Sequence, residues 1–205
     1  MTQYERMVRG LVYDPGDPEI MAEQAAYQEK LWAFNQLRPS QAEEKQRYMR
    51  EVFAECGEHC VIEPPLRANW GGRHLHLGSG VYANFNLTLV DDADIYVGDR
   101  VMFGPNVTIA TANHPIDPEL RGRGLQYNRE VRIGENAWIG AGAVIAPVYD
   151  GMCFSTTSQK GIEVGVSYTP VKNVLATFIY FNGKDMGVTE DRKAQQLYGC
   201  LDFFF

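Results

Sequence analysis

Val97-Gly98-Asp99-Arg100-Val101-Met102-Phe103-Gly104-Pro105-Asn106-Val107-Thr108-Ile109-Ala110-Thr111-Ala112-Asn113-His114 places Val97, Phe103 and Ile109 six residues apart. Val101 and Val107 follow four residues behind the first two. This period fits neither the 3.6-residue repeat of a helix nor the alternation of a simple strand. It marks flat coils of a β-helix stacked on one another. The same rhythm runs through Leu77, Ala83 and Leu89, and again through Ile133, Ile139 and Ile145. Three coils follow, at about 77–94, 97–114 and 133–148, with two extra residues between Leu89 and Val97. His114 closes the second coil. The stretch 115–132, rich in Pro, Gly, Arg and Glu, is expected to loop out of the helix, as functional or mobile polar loops do.

Upstream, residues 17–56 read as two helices. Asp17-Pro18-Glu19 combines an N-cap, a first-turn proline and an acid suited to the helix dipole. Arg38-Pro39 stops the first helix, and Ser40 with Glu43 suggests a capping box for the second. Downstream the style changes. Ile162, Val164, Val166 and Tyr168 alternate with polar or small residues, and Leu175–Phe181 runs into Asn182-Gly183, a hairpin-turn signal. A last alternating strand covers about 197–205. The expected organisation is an N-terminal helical region over 1–60, a β-helix over 61–148 with its protruding loop, and an antiparallel β tail over 149–205. The fold class is mainly β.

The chain has 205 residues and a formal net charge of -7, so no basic footprint favours nucleic acid. No apolar run reaches the roughly 18 residues that a spanning helix requires. Met1–Gly10 lacks the apolar stretch of a signal peptide, which leads to a cytoplasmic expectation. Cys56 and Cys60 bracket His59, but the spacing does not suit paired-Cys zinc sites, and no metal is expected. His74 and His76 read as structural or solvent-facing.

Several longer segments are more specific: Glu63-Pro64-Pro65, Tyr82-Ala83-Asn84-Phe85-Asn86-Leu87-Thr88, Val90-Asp91-Asp92, Gly104-Pro105-Asn106-Val107-Thr108, His114-Pro115 and Ile133-Gly134-Glu135-Asn136-Ala137-Trp138-Ile139-Gly140. Through them, residues 1–147 resemble the maltose and galactoside O-acetyltransferases. That resemblance implies a left-handed hand for the β-helix, a homotrimer with clefts between adjacent subunits, and acetyl-CoA as donor to a sugar hydroxyl. It implies that His114 is the general base and that Asn84 and Asp92 contact the acceptor and the reacting centre. Tyr82 lies beside them, and Asn69 falls where the family has Asp or Ser. Asp17 corresponds to a substrate-contacting acid, with Asp14 as the other alignment, and Gln24 stands where an arginine is common. Ala141 takes the place of a serine whose backbone N–H serves the oxyanion. Trp138 matches an aromatic on the coenzyme-facing edge.

Beyond Pro147 the family continues with further coils and a basic stretch that hold much of the coenzyme, and the resemblance ends there. Residues 161–205 resemble instead the last strands of a bacterial outer-membrane porin, of which three cannot close a barrel. The leading expectation is therefore a sugar O-acetyltransferase whose coenzyme site is altered by its tail. The alternative is a catalytically inactive β-helix protein that binds a sugar or a protein partner.

Overall fold

The computed structural model describes residues 1–115 and 117–146, and the backbone of three strands at 159–171, 174–185 and 192–203. The chain divides into two compact units, 1–114 with 121–147 and 115–120 with 148–205.

In the first unit, short parallel strands stack into three four-stranded sheets, the faces of a β-helix. The first face holds Glu55–Cys56, Leu75–Leu77, Ile95–Val97 and Val131–Ile133. The second holds Val61–Ile62, Tyr82–Ala83, Met102–Phe103 and Trp138–Ile139. Arg67–Ala68, Thr88–Val90, Thr108–Ala110 and Val144–Ile145 make the third. The pairing registers place the six-residue positions directly over one another: Leu77, Val97 and Ile133 on the first face, Ala83, Phe103 and Ile139 on the second, Leu89, Ile109 and Ile145 on the third. Cys56, Ile62 and Ala68 pair beneath Leu77, Ala83 and Leu89, so a further rung lies below the first expected coil. Ile62 and the middle members of these columns form one buried core with the intervening Val81, Leu87, Val101 and Val107, and Cys56, Ala68, Ile133, Ile139 and Ile145 pack against it half-buried. Cys60 is inside it, its thiol donating to the Gly78 carbonyl at 3.0 Å, which makes packing its role in the rung.

The corners demand a left-handed backbone. Asn86, Asn106 and Gly142 stack at one corner with φ of 61°, 60° and 74°. Asparagine tolerates this region because its short amide bonds locally, and Asn86 Nδ2 donates to Asn106 Oδ1 at 3.1 Å. Outside the first face a ladder of polar rings stands one residue per rung. His76 lies between Glu55 and Asp94 and stacks on Tyr96 at 4.3 Å, while the Arg132 guanidinium covers Tyr96 at 3.9 Å.

Three helices precede the coils. The first, α1 (Gln3–Val8), carries a reciprocal capping box between Thr2 and Glu5. The second, α2 (Pro18–Asn35), begins as expected, with Asp17 accepting from the Glu19 N–H. The third, α3 (Ala42–Val52), corrects the reading of Ser40. Its N-cap is Gln41, which makes no side-chain cap; Gln41 Oε1 instead accepts from Arg38 N–H across the turn. Leu31 and Phe34 of α2 meet Tyr48, Met49 and Val52 of α3 in the same core as the rungs. Asn35 fastens the pair to the first rung, accepting from Leu66 N–H and donating to Leu66 O, both at 2.8 Å.

The excursion after His114 is less loop-like than its composition suggests. It contains α4 (Pro118–Gly122), but Tyr127–Asn128 returns to pair antiparallel with Ala112–Asn113, and Val131 is already in the first face. Gln126, Tyr127, Asn128 and Val131 are buried.

In the second unit, Gln159–Val171, Val174–Asp185 and Arg192–Phe203 form an antiparallel sheet in sequence order. Asn182 and Gly183 lie within the middle strand, paired with Ile162 and Gly161 on one side and Gln195 and Ala194 on the other. No turn forms there, because both neighbouring strands extend past it and satisfy its backbone groups.

Replacing Asn106 tests the corner geometry. Asn106→Gly is expected to stay within about 1 kcal/mol of the parent, since only one exposed hydrogen bond is lost. Asn106→Val should lose about 1–2 kcal/mol in denaturant titration, because a branched side chain resists positive φ.

Candidate active site

Each candidate residue inherits its place from the strand that ends just before it. Asn69 and Asp92 follow strands of the third face, at the corner leading back to the first, and His114 follows Ala112–Asn113, a strand outside that face that pairs antiparallel with Tyr127–Asn128. Asn84 and Ala141 follow strands of the second face, at the corner leading to the third. The two sets therefore occupy different corners of one chain.

At the first of these corners Asn69 and Asp92 are in contact. Asp92 is almost fully buried; its Oδ2 accepts from Asn69 Nδ2 at 3.0 Å and its Oδ1 from Trp70 Nε1 at 3.2 Å. A carboxylate with two such donors is held in one orientation and retains lone pairs for a ligand hydroxyl. Asp91 beside it is completely buried and accepts from Trp70 N–H at 2.8 Å and Gly72 N–H at 2.9 Å. Those bonds hold the tight turn at 70–72, where Gly72 has a φ of 89° and a Cβ would strike the Phe53 ring at 2.4 Å. Burial raises the Asp91 carboxyl to about 7, with Asp92's charge adding to the rise and the two N–H donors opposing it. The Asp91 carbonyl lies 2.6 Å from His74 Nδ1, so His74 is a structural residue, and burial lowers its pKa.

His114 is exposed, and its Nδ1 lies 2.8 Å from the Leu125 carbonyl oxygen. A carbonyl can only accept, so Nδ1 carries the proton of the neutral ring and Nε2 presents a lone pair. This is the tautomer a general base needs. Thr111, three residues upstream, braces the corner: its hydroxyl donates to Val90 O at 2.7 Å and accepts from Ala93 N–H at 3.0 Å.

At the other corner Asn84 Oδ1 accepts from Phe85 N–H at 2.8 Å, which leaves its amide Nδ2 as the donor for other partners. Ala141 stacks in register beyond Phe85 and Pro105, and its backbone passes close to Gly104: a Cβ there would meet Ala141 N at 2.7 Å. Tyr82 and Trp138 share the outward side of the second face with Val61 and Met102, one per rung. This column is exposed, Trp138 by 76% and Met102 by 50%. Asp17 caps α2, and Asp14 accepts from Gly16 N–H at 2.9 Å.

Three buried polar residues that the sequence does not single out, Tyr13, Gln126 and Asn128, pack beside these candidates. Asn128 Nδ2 donates to the Asp92 carbonyl at 2.8 Å, and Gln126 Nε2 donates to the Tyr13 hydroxyl at 2.6 Å. The polar composition of 115–132 was the available signal, but it points outward to solvent rather than inward.

Comparison with known proteins follows the same outline. The profile of the maltose acetyltransferase hexapeptide capping motif matches residues 6–57. A galactoside O-acetyltransferase from Lactococcus lactis is 50% identical over 147 residues, covering 72% of this chain and 71% of the relative. One from Escherichia coli K12 is 42% identical over 146 residues, covering 71% and 70%. Among solved structures, a maltose O-acetyltransferase from Clostridium difficile superposes with a TM-score of 0.69 at 35% identity, covering 72% of this chain and 78% of its own. A galactoside acetyltransferase in complex with coenzyme A gives 0.67 at 36%, covering 72% and 73%.

Asp91 makes stability depend on pH in a definite direction. Its folded pKa lies above that of an unfolded aspartate, so its contribution is complete below about 4 and is lost as the pH rises through about 7. Chemical denaturation of the parent and of Asp91→Asn at pH 5 and pH 8 measures this. The stability difference between the two proteins should shift against the parent at pH 8, whereas a pH-independent difference would mean that Asp91 is ionised throughout.

Proposed function

This chain belongs to the maltose and galactoside O-acetyltransferase family, and we propose that it transfers the acetyl group of acetyl-CoA to a sugar hydroxyl with His114 as general base. The observation that carries this reading is the His114 ring itself, with Nδ1 bonded to a carbonyl and Nε2 left to accept a proton. In the reaction, Nε2 takes the proton of the sugar hydroxyl as its oxygen bonds to the thioester carbonyl carbon. The carbonyl oxygen becomes an oxyanion, and the backbone N–H of Ala141 is suited to meet it. When the carbon–sulfur bond breaks, the imidazolium returns its proton to the departing CoA thiolate. An imidazole can accept a proton at Nε2 and then return it, so one side chain can serve both halves of this exchange.

Asn69 and Asp92 would orient the acceptor, with Asp17 and Tyr82 as further acceptor contacts and the amide of Asn84 directed to the reacting centre. Trp138 offers an exposed aromatic surface to the coenzyme. The separation of these residues over two corners supports a homotrimer, since a second copy can bring the Asn84–Ala141 corner to the His114 corner. The exposed column of Val61, Tyr82, Met102 and Trp138 gives such a contact apolar surface.

Among the described residues no helix is long and apolar enough to cross a membrane. A cytoplasmic setting is the one the sequence reading favours. For the tail, the porin likeness stays a proposal, supported by antiparallel strands of 13, 12 and 12 residues, long enough for membrane strands.

Acetylation of maltose and of a galactoside by the purified protein, with acetyl-CoA as donor, tests the reading. His114→Ala should lower kcat roughly 10²- to 10⁴-fold while leaving the KM for acetyl-CoA near the parent value. Light scattering should give three times the 23.1 kDa chain mass. An unchanged kcat in His114→Ala would refute the assignment of the base.

A further inference from the structure

We infer that Tyr13, in the segment between α1 and α2, is a positioning residue for His114, acting through the peptide group that joins Leu125 to Gln126. The inference rests on the reading of His114 as the base.

That peptide group is a single rigid plane whose carbonyl and N–H point in opposite directions. On one side the Leu125 carbonyl receives His114 Nδ1 at 2.8 Å. On the other, Gln126 N–H donates to the Tyr13 carbonyl at 2.9 Å, and Tyr13 N–H returns a bond to Gln126 O at 2.8 Å. Rotating the plane to free the imidazole would break the bond to Tyr13. The orientation of the Leu125 carbonyl, and with it the tautomer of His114, is thus tied to residue 13.

The side chains lock the same junction. Tyr13, Gln126 and Asn128 are buried to 1%, 9% and 2% exposure. The Tyr13 hydroxyl accepts from Gln126 Nε2 at 2.6 Å and from Asn128 Nδ2 at 3.2 Å, and Gln126 Nε2 also reaches Asn128 Oδ1 at 3.1 Å. Buried polar groups are costly unless paired, and these three largely pair with one another. Burial and the charge of Asp92 raise the phenol's pKa, so it stays a neutral hydrogen-bonding group. Asn128 continues the chain of contacts to the Asp92 carbonyl, and Asn128 and Tyr127 pair with Ala112 and Asn113 just before His114. The N-terminal arm therefore grips the returning limb of the excursion at the point where it holds the base. A purely structural role would stabilise the limb without any consequence for the ring's protonation.

The test uses the full-length protein and three variants, Tyr13→Phe, Gln126→Met and His114→Ala. Thermal melts and circular dichroism identify which variants fold, and Gln126→Met breaks the same lock from the opposite side should Tyr13→Phe not fold. Imidazole ¹⁵N spectra of His114 report the tautomer, and steady-state kinetics report kcat and KM separately. The expected result is a single Nδ1-protonated tautomer in the parent and a mixture in the folded lock variants. Their kcat should fall about 10- to 100-fold, with the KM for acetyl-CoA unchanged. A folded variant that keeps both the single tautomer and the parent kcat, while His114→Ala is inactive, would overturn the inference and leave the base in place. A tautomer mixture in the lock variants together with an active His114→Ala would uphold the lock and remove the base.

Discussion

Three columns of inward side chains, matched in register from rung to rung, are the constraint on which the rest of this molecule depends. A single coil of about 20 residues cannot bury its own apolar face; stacked coils bury one another's. The columns Cys56–Leu77–Val97–Ile133, Ile62–Ala83–Phe103–Ile139 and Ala68–Leu89–Ile109–Ile145 fix which residue of every strand points inward. They also fix which residue comes next at the corner. Asn84 and Asp92 are functional candidates because of their chemistry, but they have defined positions because of these columns. A one-residue slip would turn the apolar set outward and move every corner residue with it.

The columns were also the most legible part of the sequence, because an apolar period of six survives any surface substitution. The lowest rung is harder to read, since of its inward residues Cys56, Ile62 and Ala68 only Ile62 is a large aliphatic side chain, and Cys56 is a thiol that invites other readings. Local signals fared unevenly. Asp17-Pro18 caps its helix as expected, whereas the next helix is entered from Gln41 rather than Ser40, and the Gln41 side chain bonds Arg38 N–H instead of capping. Asn182-Gly183 has strong turn chemistry, yet the ladder on both sides of it outweighs that preference.

The candidate residues are readable from the sequence, and the contacts that support them are not. His114 follows Ala112–Asn113, which pairs outside the repeat with Tyr127–Asn128, whereas Asn69 and Asp92 share a corner because they follow strands that the repeat stacks. The Asn69–Asp92 hydrogen bond follows from that placement. Tyr13, Gln126 and Asn128 come from segments without periodicity, more than 110 residues apart for the bond between Tyr13 and Gln126. Only the folded chain reveals that the polar excursion turns back and buries its returning limb. The same geometry places Asn84 and Ala141 at a different corner from His114, and the proposed reading joins those two corners between copies of the chain.

That division is the central claim, and mixing two inactive variants tests it most directly. His114→Ala and Asn84→Ala, each inactive alone, would be unfolded, refolded together and assayed for acetyl transfer from acetyl-CoA to maltose or a galactoside. If the site is assembled between copies, mixed trimers contain junctions that join an intact His114 corner to an intact Asn84 corner, and a substantial fraction of parent activity returns. If both residues serve the site from one chain, every site in the mixture carries a defect. Activity then stays at the level of the separate variants, contradicting the account.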